Sequence, residues 1–224
     1  MPDSGSAKQF IQKLNGLGSE EDEYKDISMG QIFALAKELM DMPPHEIEKL
    51  LESPIHKVRV GAVSIMDWQA RSKKTSEMRR KELFDLYIKR HDRIDDWDLV
   101  DRSAPYVVGG YLFDKPRKVL YKLARSKSPW ERRSAITATY YFICQGDVDD
   151  TFKIAEILVH DPHDLVQKAV GGWVREAGKK DLQKLLGFLD NYAASMPRTM
   201  LRYAIEHLDK DQREHYMNLK SKGK

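Results

Sequence analysis

Residues 95–105 read DDWDLVDRSAP and place several carboxylates around one indole. If the stretch is helical, Trp97 and Asp101 are four residues apart and share one face of the helix. A carboxylate in such a position stabilises positive charge that develops on a substrate, and an indole face attracts a cation. The same pair is also typical of a surface site where an aspartate pairs with a nearby arginine. The other acids are expected to lie at the helix start, where the helix dipole favours them: Asp95, Asp96 and Asp98.

Basic residues are concentrated in one segment of an otherwise balanced chain. The 224 residues include 38 Lys and Arg against 35 Asp and Glu, which gives a formal net charge of +3. From Lys115 to Arg133 there are eight basic residues and one acid, Glu131. Segregated charge of this kind predicts a face that binds a polyanion, although a solvated helix surface has the same pattern.

Composition excludes several classes of protein. Charged residues make up 33% of the chain, and no apolar run approaches the roughly 20 residues of a membrane span, so we expect a soluble protein. The first residues lack the pattern of a signal peptide, and a single cysteine, Cys144, suits a reducing cytoplasm. Histidine spacing predicts no metal centre, and the sequence has no nucleotide-binding glycine motif. We therefore expect a cytoplasmic protein without a metal or cofactor.

Apolar residues recur at helical spacing through almost the whole chain, as in QIFALAKELM and FKIAEILV. This period is the main sequence signal for amphipathic helices. No long alternating pattern and no Asn-Gly hairpin signal predicts a strand. The sequence therefore predicts an all-α fold.

Four segments share a proline near a helix start, then a basic residue, then a small one. Their prolines stand at positions 54, 129, 162 and 197, and DDWDLVDRSAPYVVGG lies where a further unit should begin in the long first gap. A helical repeat of roughly 35–40 residues is typical of HEAT-like α-solenoids. We expect an α-α superhelix in which small residues allow close packing and basic residues line a concave groove. The segments are SPIHKVRVGAV, SPWERRSAIT, DPHDLVQKAVG and MPRTMLRYAIE.

The repeats predict one continuous domain over residues 28–212. An N-terminal lead-in at 1–27 precedes it, and a frayed basic tail at 213–224 follows it, because chain ends are often poorly ordered. We expect the protein to be a monomer.

Six basic residues lie near the starts of the predicted second helices. Such positions combine a side-chain cation with the N–H groups of a helix N-terminus, which suits phosphate binding. Each is an ordinary surface residue by itself, but as a set they predict a face that binds the DNA backbone. The residues are Lys57, Arg59, Arg132, Lys168, Arg175 and Arg202.

Three motifs, in this order, resemble the AlkD-like DNA alkylation repair family. They are WDLVD at 97–101, SPWERRSA at 128–135 and LVQKAVGGWVREAGK at 165–179. The resemblance covers roughly residues 27–208 and implies a HEAT-like-repeat DNA glycosylase that releases cationic N3- and N7-alkylated purines from double-stranded DNA without base flipping. It also implies that Asp101 lies by the deoxyribose, with Trp97 and Arg133 beside it.

One motif departs from the family pattern. Aligning QKA places Gly172 where the family has a second tryptophan, and Trp173 follows one residue later, about 100° further round a helix. The main hypothesis is an alkylpurine DNA glycosylase in which Trp173 also contacts DNA. A non-catalytic DNA-binding relative, favoured by the displaced Trp173, and a HEAT-type protein-interaction scaffold, favoured by the modest net charge, are the alternatives.

Overall fold

The computed structural model describes residues 5–18 and 24–219. All regular structure in these residues is helical, which confirms the predicted all-α class. The chain divides into two compact units, 1–111 and 112–224, and the boundary falls inside the single domain predicted over residues 28–212. None of the described helices is both long and apolar enough to cross a membrane.

Unit 1 (residues 1–111) is organised around one long helix, α4 (His56–Arg71), most of whose residues are buried. This helix packs against four other helices of the unit and against a π-helix at Ala104–Gly110. The other helices are α1 (Ala7–Asn15), α2 (Met29–Glu38), α3 (Pro44–Leu51), α5 (Glu77–Lys89) and α6 (Trp97–Ser103), with a 3₁₀ turn at His91–Arg93. The core of unit 1 therefore lies along α4.

Unit 2 (residues 112–224) has a similar plan, in which α10 (Asp164–Gly178) packs against α8, α9, α11 and α12. Serine side chains cap helix starts in unit 1, and aspartates cap helix starts in both units. In unit 2, for example, Asp181 accepts from the Lys184 N–H. The other helices of unit 2 are α7 (Lys118–Leu123), α8 (Pro129–Cys144), α9 (Asp149–Leu158), α11 (Leu182–Tyr192), α12 (Arg198–Ala204) and α13 (Lys210–Asn218).

The proline signals mark the starts of α4, α8, α10 and α12, as predicted. Pro129 is itself the first residue of α8, where a missing N–H costs nothing because that group has no helical partner. Pro54 and Pro162 lie two residues before their helices, and Pro197 is the N-cap of α12. The predicted further unit begins with α6, at Trp97.

An arginine at the fourth residue of a helix fastens the preceding loop in each unit. Arg59 of α4 donates to the carbonyls of Ser53 and Pro54 at 3.0 and 3.2 Å and pairs with Asp95 at 3.0 Å. Arg132 of α8 donates to the carbonyls five and six residues before it, both at 3.0 Å, and forms a two-point ion pair with Asp161. Asp95 lies shortly before α6, which packs against α4, and Asp161 lies shortly before α10, which packs against α8. The same device is thus used twice.

The segment predicted as a lead-in contains part of the core of unit 1. Phe10 of α1 is fully buried, and its ring occupies the space that a Cβ atom on Gly61 would need, with Cζ 2.1 Å from that position. At the other end, α13 runs to Asn218, through the first residues of the predicted frayed tail. Residues 220–224 of that tail, and 1–4 and 19–23 of the lead-in, lie outside the described residues.

Close packing of α10 against α12 depends on Gly171. A Cβ atom at this position would lie 2.4 Å from the Met200 carbonyl oxygen and 2.7 Å from the Tyr203 Cβ. The next residue, Gly172, is different, since a Cβ there would meet nothing within 4 Å. The prediction that small residues allow the helices to approach is confirmed at Gly171.

We predict opposite effects for alanine at these two adjacent glycines. Gly171→Ala forces α10 away from a backbone carbonyl and should lower the free energy of unfolding by about 1–3 kcal/mol. Gly172→Ala fills open space in a helix and should raise it by about 0.5–1 kcal/mol. Urea unfolding followed by circular dichroism measures both, and equal effects of the two variants would contradict the close contact at Gly171.

Candidate active site and nucleic-acid interface

Helix α6 carries the two residues for which the sequence predicted chemistry. It begins where the aspartates predict: Asp96 is the N-cap and accepts from the Trp97 N–H at 2.7 Å, and Asp98 lies in the first turn. Trp97 is 49% exposed although it is large and apolar. Asp101 is half-buried on the same helix, four residues on, so the two side chains leave the helix on one face.

The start of α6 lies beside the start of α4. His56, the first residue of α4, donates from Nε2 to Asp98 Oδ2 at 2.8 Å. A metal ion needs several ligand atoms close together. Among the described residues, His56, Asp96 and Asp98 are the one group of three or more His, Cys, Asp or Glu side chains whose ligand atoms all lie within 4.8 Å of one another. Both helix N-termini carry partial positive charge, which stabilises these carboxylates but opposes a cation at the same place.

A buried carboxylate lies deeper in unit 1, at Asp67 of α4. Its side chain is fully buried, and both carboxylate oxygens accept from the single Nε–H of Arg71, at 2.9 and 2.8 Å. Arg102 of α6 lies 3.3 Å from the same carboxylate. Burial raises the pKa of Asp67 above its ordinary value, and the two guanidiniums oppose this shift. Burial also lowers the pKa of Arg102.

Aromatic rings surround these guanidiniums. The Arg102 guanidinium lies 4.4 Å from the Phe33 ring centre and 5.2 Å from that of Trp68. The Arg71 guanidinium lies 3.7 Å from the ring centre of Tyr106, in the π-helix. Such stacking stabilises a cation that has lost part of its hydration, as the half-buried Arg102 has, whereas Arg71 stays exposed. The sequence analysis missed this cluster, which we call the Asp67 cluster (Phe33, Asp67, Trp68, Arg71, Arg102 and Tyr106); its one sequence signal is an aspartate inside the apolar run GAVSIMDWQA.

In unit 2, Arg133, for which the sequence predicted a role at the damaged nucleotide, is buried. Its side chain is 7% exposed and donates to the main-chain carbonyl of Leu165, in the first turn of α10. A buried guanidinium that already has a carbonyl partner is less accessible to a phosphate than a surface cation. The role predicted for Arg133 at the damaged nucleotide remains a prediction.

Trp173 of α10 packs against α8. Its indole N–H donates to the buried Thr137 hydroxyl at 3.1 Å, and its ring centre lies 5.0 Å from that of Tyr140. Gly172, where the resemblance implies a tryptophan, has open space beside it. The one-residue displacement therefore gives the indole a packing role in unit 2.

Five of the six basic residues predicted to contact DNA have protein partners, and for four of them these partners include residues far along the chain. Lys57 donates to the carbonyls of Tyr24, Lys25 and Ile27, and Arg59 and Arg132 make the loop contacts described above. Arg175 pairs with Glu176 and with Glu206. These side chains hold loops and helix ends in place, so each would have to exchange a protein partner for a phosphate.

Lys168 and Arg202 are more accessible. Lys168 is paired with Asp164, one helical turn earlier in α10, and both side chains are exposed. Arg202 of α12 is exposed and makes no ion pair with any described residue. Ion pairs between exposed side chains are weak and readily exchanged. These two cations of unit 2 are therefore the most available phosphate ligands of the predicted set.

Comparison with known proteins agrees with the helical architecture. A family model described as DNA alkylation repair enzyme matches residues 3–208. A solved structure described as a predicted DNA alkylation repair enzyme from Enterococcus faecalis is similar with a TM-score of 0.65 at 16% sequence identity, and the match covers 94% of this chain and 100% of that chain. At this identity, the likeness concerns the fold alone. No curated protein matches the sequence.

We predict that two tryptophans differ in their contribution to stability. Trp173→Phe removes the donor to the buried Thr137 hydroxyl and should lower the free energy of unfolding by about 1–2 kcal/mol. Trp97→Phe, at a half-exposed site, should change it by less than about 0.5 kcal/mol. Urea unfolding of both variants is the measurement, and a larger loss for Trp97→Phe would mean that α6, not α10, uses its indole for packing.

Proposed function

Because this chain belongs to the DNA alkylation repair enzyme family, we propose that it is a DNA glycosylase that hydrolyses the N-glycosidic bond of N3- or N7-alkylated purines in double-stranded DNA. The observation that carries the proposal is that a half-exposed Trp97 and Asp101 lie on the same face of α6. Membership of this family supports a role in DNA alkylation repair, whereas the reaction and the alkylpurine substrate are our inference.

The chemistry requires little from the protein. Alkylation at N3 or N7 gives the purine a positive charge, so the base is already a good leaving group. As the bond from C1′ to the base nitrogen breaks, positive charge moves to the sugar, and this oxocarbenium character is what a glycosidase stabilises. Water then adds to C1′ and loses a proton, while the base leaves as a neutral purine. A general acid is not needed.

Asp101 is the residue that we assign to the sugar cation. A fixed carboxylate beside the developing charge lowers the barrier, because its orientation does not have to be achieved during the reaction. Trp97 offers an exposed aromatic face one turn away, which attracts the cationic sugar or base. In this proposal the base stays stacked in the DNA duplex, as the family resemblance implies, and α6 approaches the sugar from a groove of the duplex.

The repeated arginine device supports a HEAT-like solenoid as the architecture of the protein. Arg59 and Arg132 occupy the same position in their helices and make the same contacts to the preceding loop. Equivalent contacts in equivalent helices are expected of repeats that stack by one rule. We propose that the protein acts as a monomer and that exposed basic residues hold the DNA backbone.

We expect base release to depend on the Asp101 carboxylate. Asp101→Asn keeps the shape of the side chain but removes its charge, and should lower the rate of 7-methylguanine or 3-methyladenine release from duplex DNA by about 10²–10³-fold. Single-turnover release with enzyme in excess is the measurement. Asp85→Asn is the matched control, since Asp85 is an exposed carboxylate of α5 in the same unit.

The control variant should release base at the wild-type rate. If Asp101→Asn were as active as Asp85→Asn, the carboxylate would have no part in the reaction. Release by the wild type would then have to be explained by another residue.

Duplex binding should depend on Lys168 and Arg202. Replacing both by glutamate should weaken binding at least about tenfold and reduce the slope of log Kd against log salt by about one for each lost phosphate contact. Fluorescence anisotropy with an undamaged duplex at several salt concentrations measures both quantities. Lys153→Glu with Lys180→Glu is the control, because these exposed lysines of unit 2 give the same change in net charge.

One observation favours a second candidate, a DNA-binding relative without excision activity. The face of α10 at Gly172 is open, and Trp173 is used for packing, so an aromatic group that the resemblance implies is missing. Salt-sensitive duplex binding without release of base by the wild type would support this candidate and exclude the glycosylase.

A further inference from the structure

The geometry points to a positioning role for the Asp67 cluster: through Arg102, Asp67 holds α6 in the orientation that presents Asp101 and Trp97 to substrate. This inference rests on the proposed function of Asp101. Asp67 and Arg102 are positioning residues here, because neither is assigned a contact with the reacting atoms.

Arg102 directly follows Asp101, and its guanidinium is fixed from several sides. It lies 3.3 Å from the Asp67 carboxylate, and its Nε lies 3.3 Å from the Ser64 hydroxyl of α4. The Phe33 ring of α2 lies against it at 4.4 Å. A long side chain anchored in this way restricts the rotation of the helix that carries it. The residue next to Asp101 is thus tied to both α2 and α4.

The same carboxylate also acts on the segment that follows α6. Asp67 holds Arg71 by the Nε–H that its two oxygens share, and the Arg71 guanidinium stacks on Tyr106. Tyr106 belongs to the seven-residue π-helix Ala104–Gly110, which continues directly from α6. π-helical segments are rare and are frequently found at functional sites. One buried charge therefore restrains both sides of the junction that ends α6.

The beginning of α6 is held independently. His56 at the start of α4 donates to Asp98 at 2.8 Å, so α6 is attached to α4 near both ends. A helix of seven residues is too short to be stable alone, and its direction is set by such tertiary contacts. Asp101 lies between the two attachments, at Asp98 and at Arg102.

Precise orientation matters for the proposed chemistry. A carboxylate stabilises a sugar cation only at close range, and a displacement of about 1 Å caused by a distant substitution costs about 10²-fold in rate. Loosening Arg102 should therefore lower the rate of the chemical step. DNA affinity, which depends on surface cations, should stay the same. A purely structural role of Arg102 would change stability without this separation.

Arg102→Lys tests the inference. Lysine keeps a cation for Asp67 but loses the planar group that stacks on Phe33 and Trp68. In single-turnover base release, the maximal rate should fall about 10–100-fold, whereas the Kd for the duplex should stay within about twofold of wild type, because no phosphate contact is removed.

Arg80→Lys is the matched control. Arg80 of α5 is also half-buried and donates to main-chain carbonyls, those of Ala70 and Ser72, but it contacts neither α6 nor the π-helix through these bonds. Its loss should affect stability in a similar way. We expect it to leave the maximal rate of base release unchanged.

A second readout needs no reaction. In protein labelled with 5-fluorotryptophan, the Trp97 resonance is assigned as the signal missing from Trp97→Phe. It should shift or broaden in Arg102→Lys and keep its wild-type position in Arg80→Lys. If Arg102→Lys does not fold, Phe33→Leu takes its place, because it removes the ring beneath the guanidinium and keeps an apolar side chain.

The outcomes separate this inference from the proposed function. An unchanged rate together with an unchanged Trp97 resonance in a folded variant would overturn the positioning role and leave the glycosylase intact. If the wild type releases no base, the proposed function fails, and the fluorine spectrum alone decides whether the Asp67 cluster holds α6.

Discussion

Two arginines, the buried Arg59 and the half-buried Arg132, tie the starts of α4 and α8 to the loops and helices beside them. A guanidinium removed from water is stabilised by carbonyl or carboxylate oxygens that accept from its N–H groups. Arg59 and Arg132 each donate to two carbonyls of the preceding loop and to one aspartate before a later helix, although the buried Nε of Arg59 has no partner among the described residues. The path of each loop and the position of the next helix in the same unit are therefore set together.

Much of the fold could be predicted because its signals are local. Apolar spacing gave the helices, and prolines at 54, 129, 162 and 197 marked four of their starts. The common face of Trp97 and Asp101 also follows from helix geometry alone. Helix geometry likewise places Trp173 about 100° round the helix from Gly172, but it does not say what the indole meets there: from the sequence we expected DNA, and the indole N–H donates to Thr137.

Other features depend on where the chain returns in space. A basic residue near a helix start can serve a phosphate or a loop carbonyl, and only the course of the loop distinguishes these roles. Lys57 illustrates this, since it donates to three carbonyls that lie about 30 residues earlier. Likewise, Asp67 stands out as an aspartate inside an apolar run, but nothing in the sequence indicates that Arg102 lies beside it.

The central place of α4 has a consequence for the dynamics of unit 1. This helix packs against α2, α3, α5, α6 and the π-helix, so none of these segments separates from the core without uncovering part of α4. Opening of any one of them therefore disturbs the packing of the helix on which the others rest, which favours cooperative opening of unit 1. The short helix that carries Asp101 is in this way linked to the core of the unit, even though it has only seven residues.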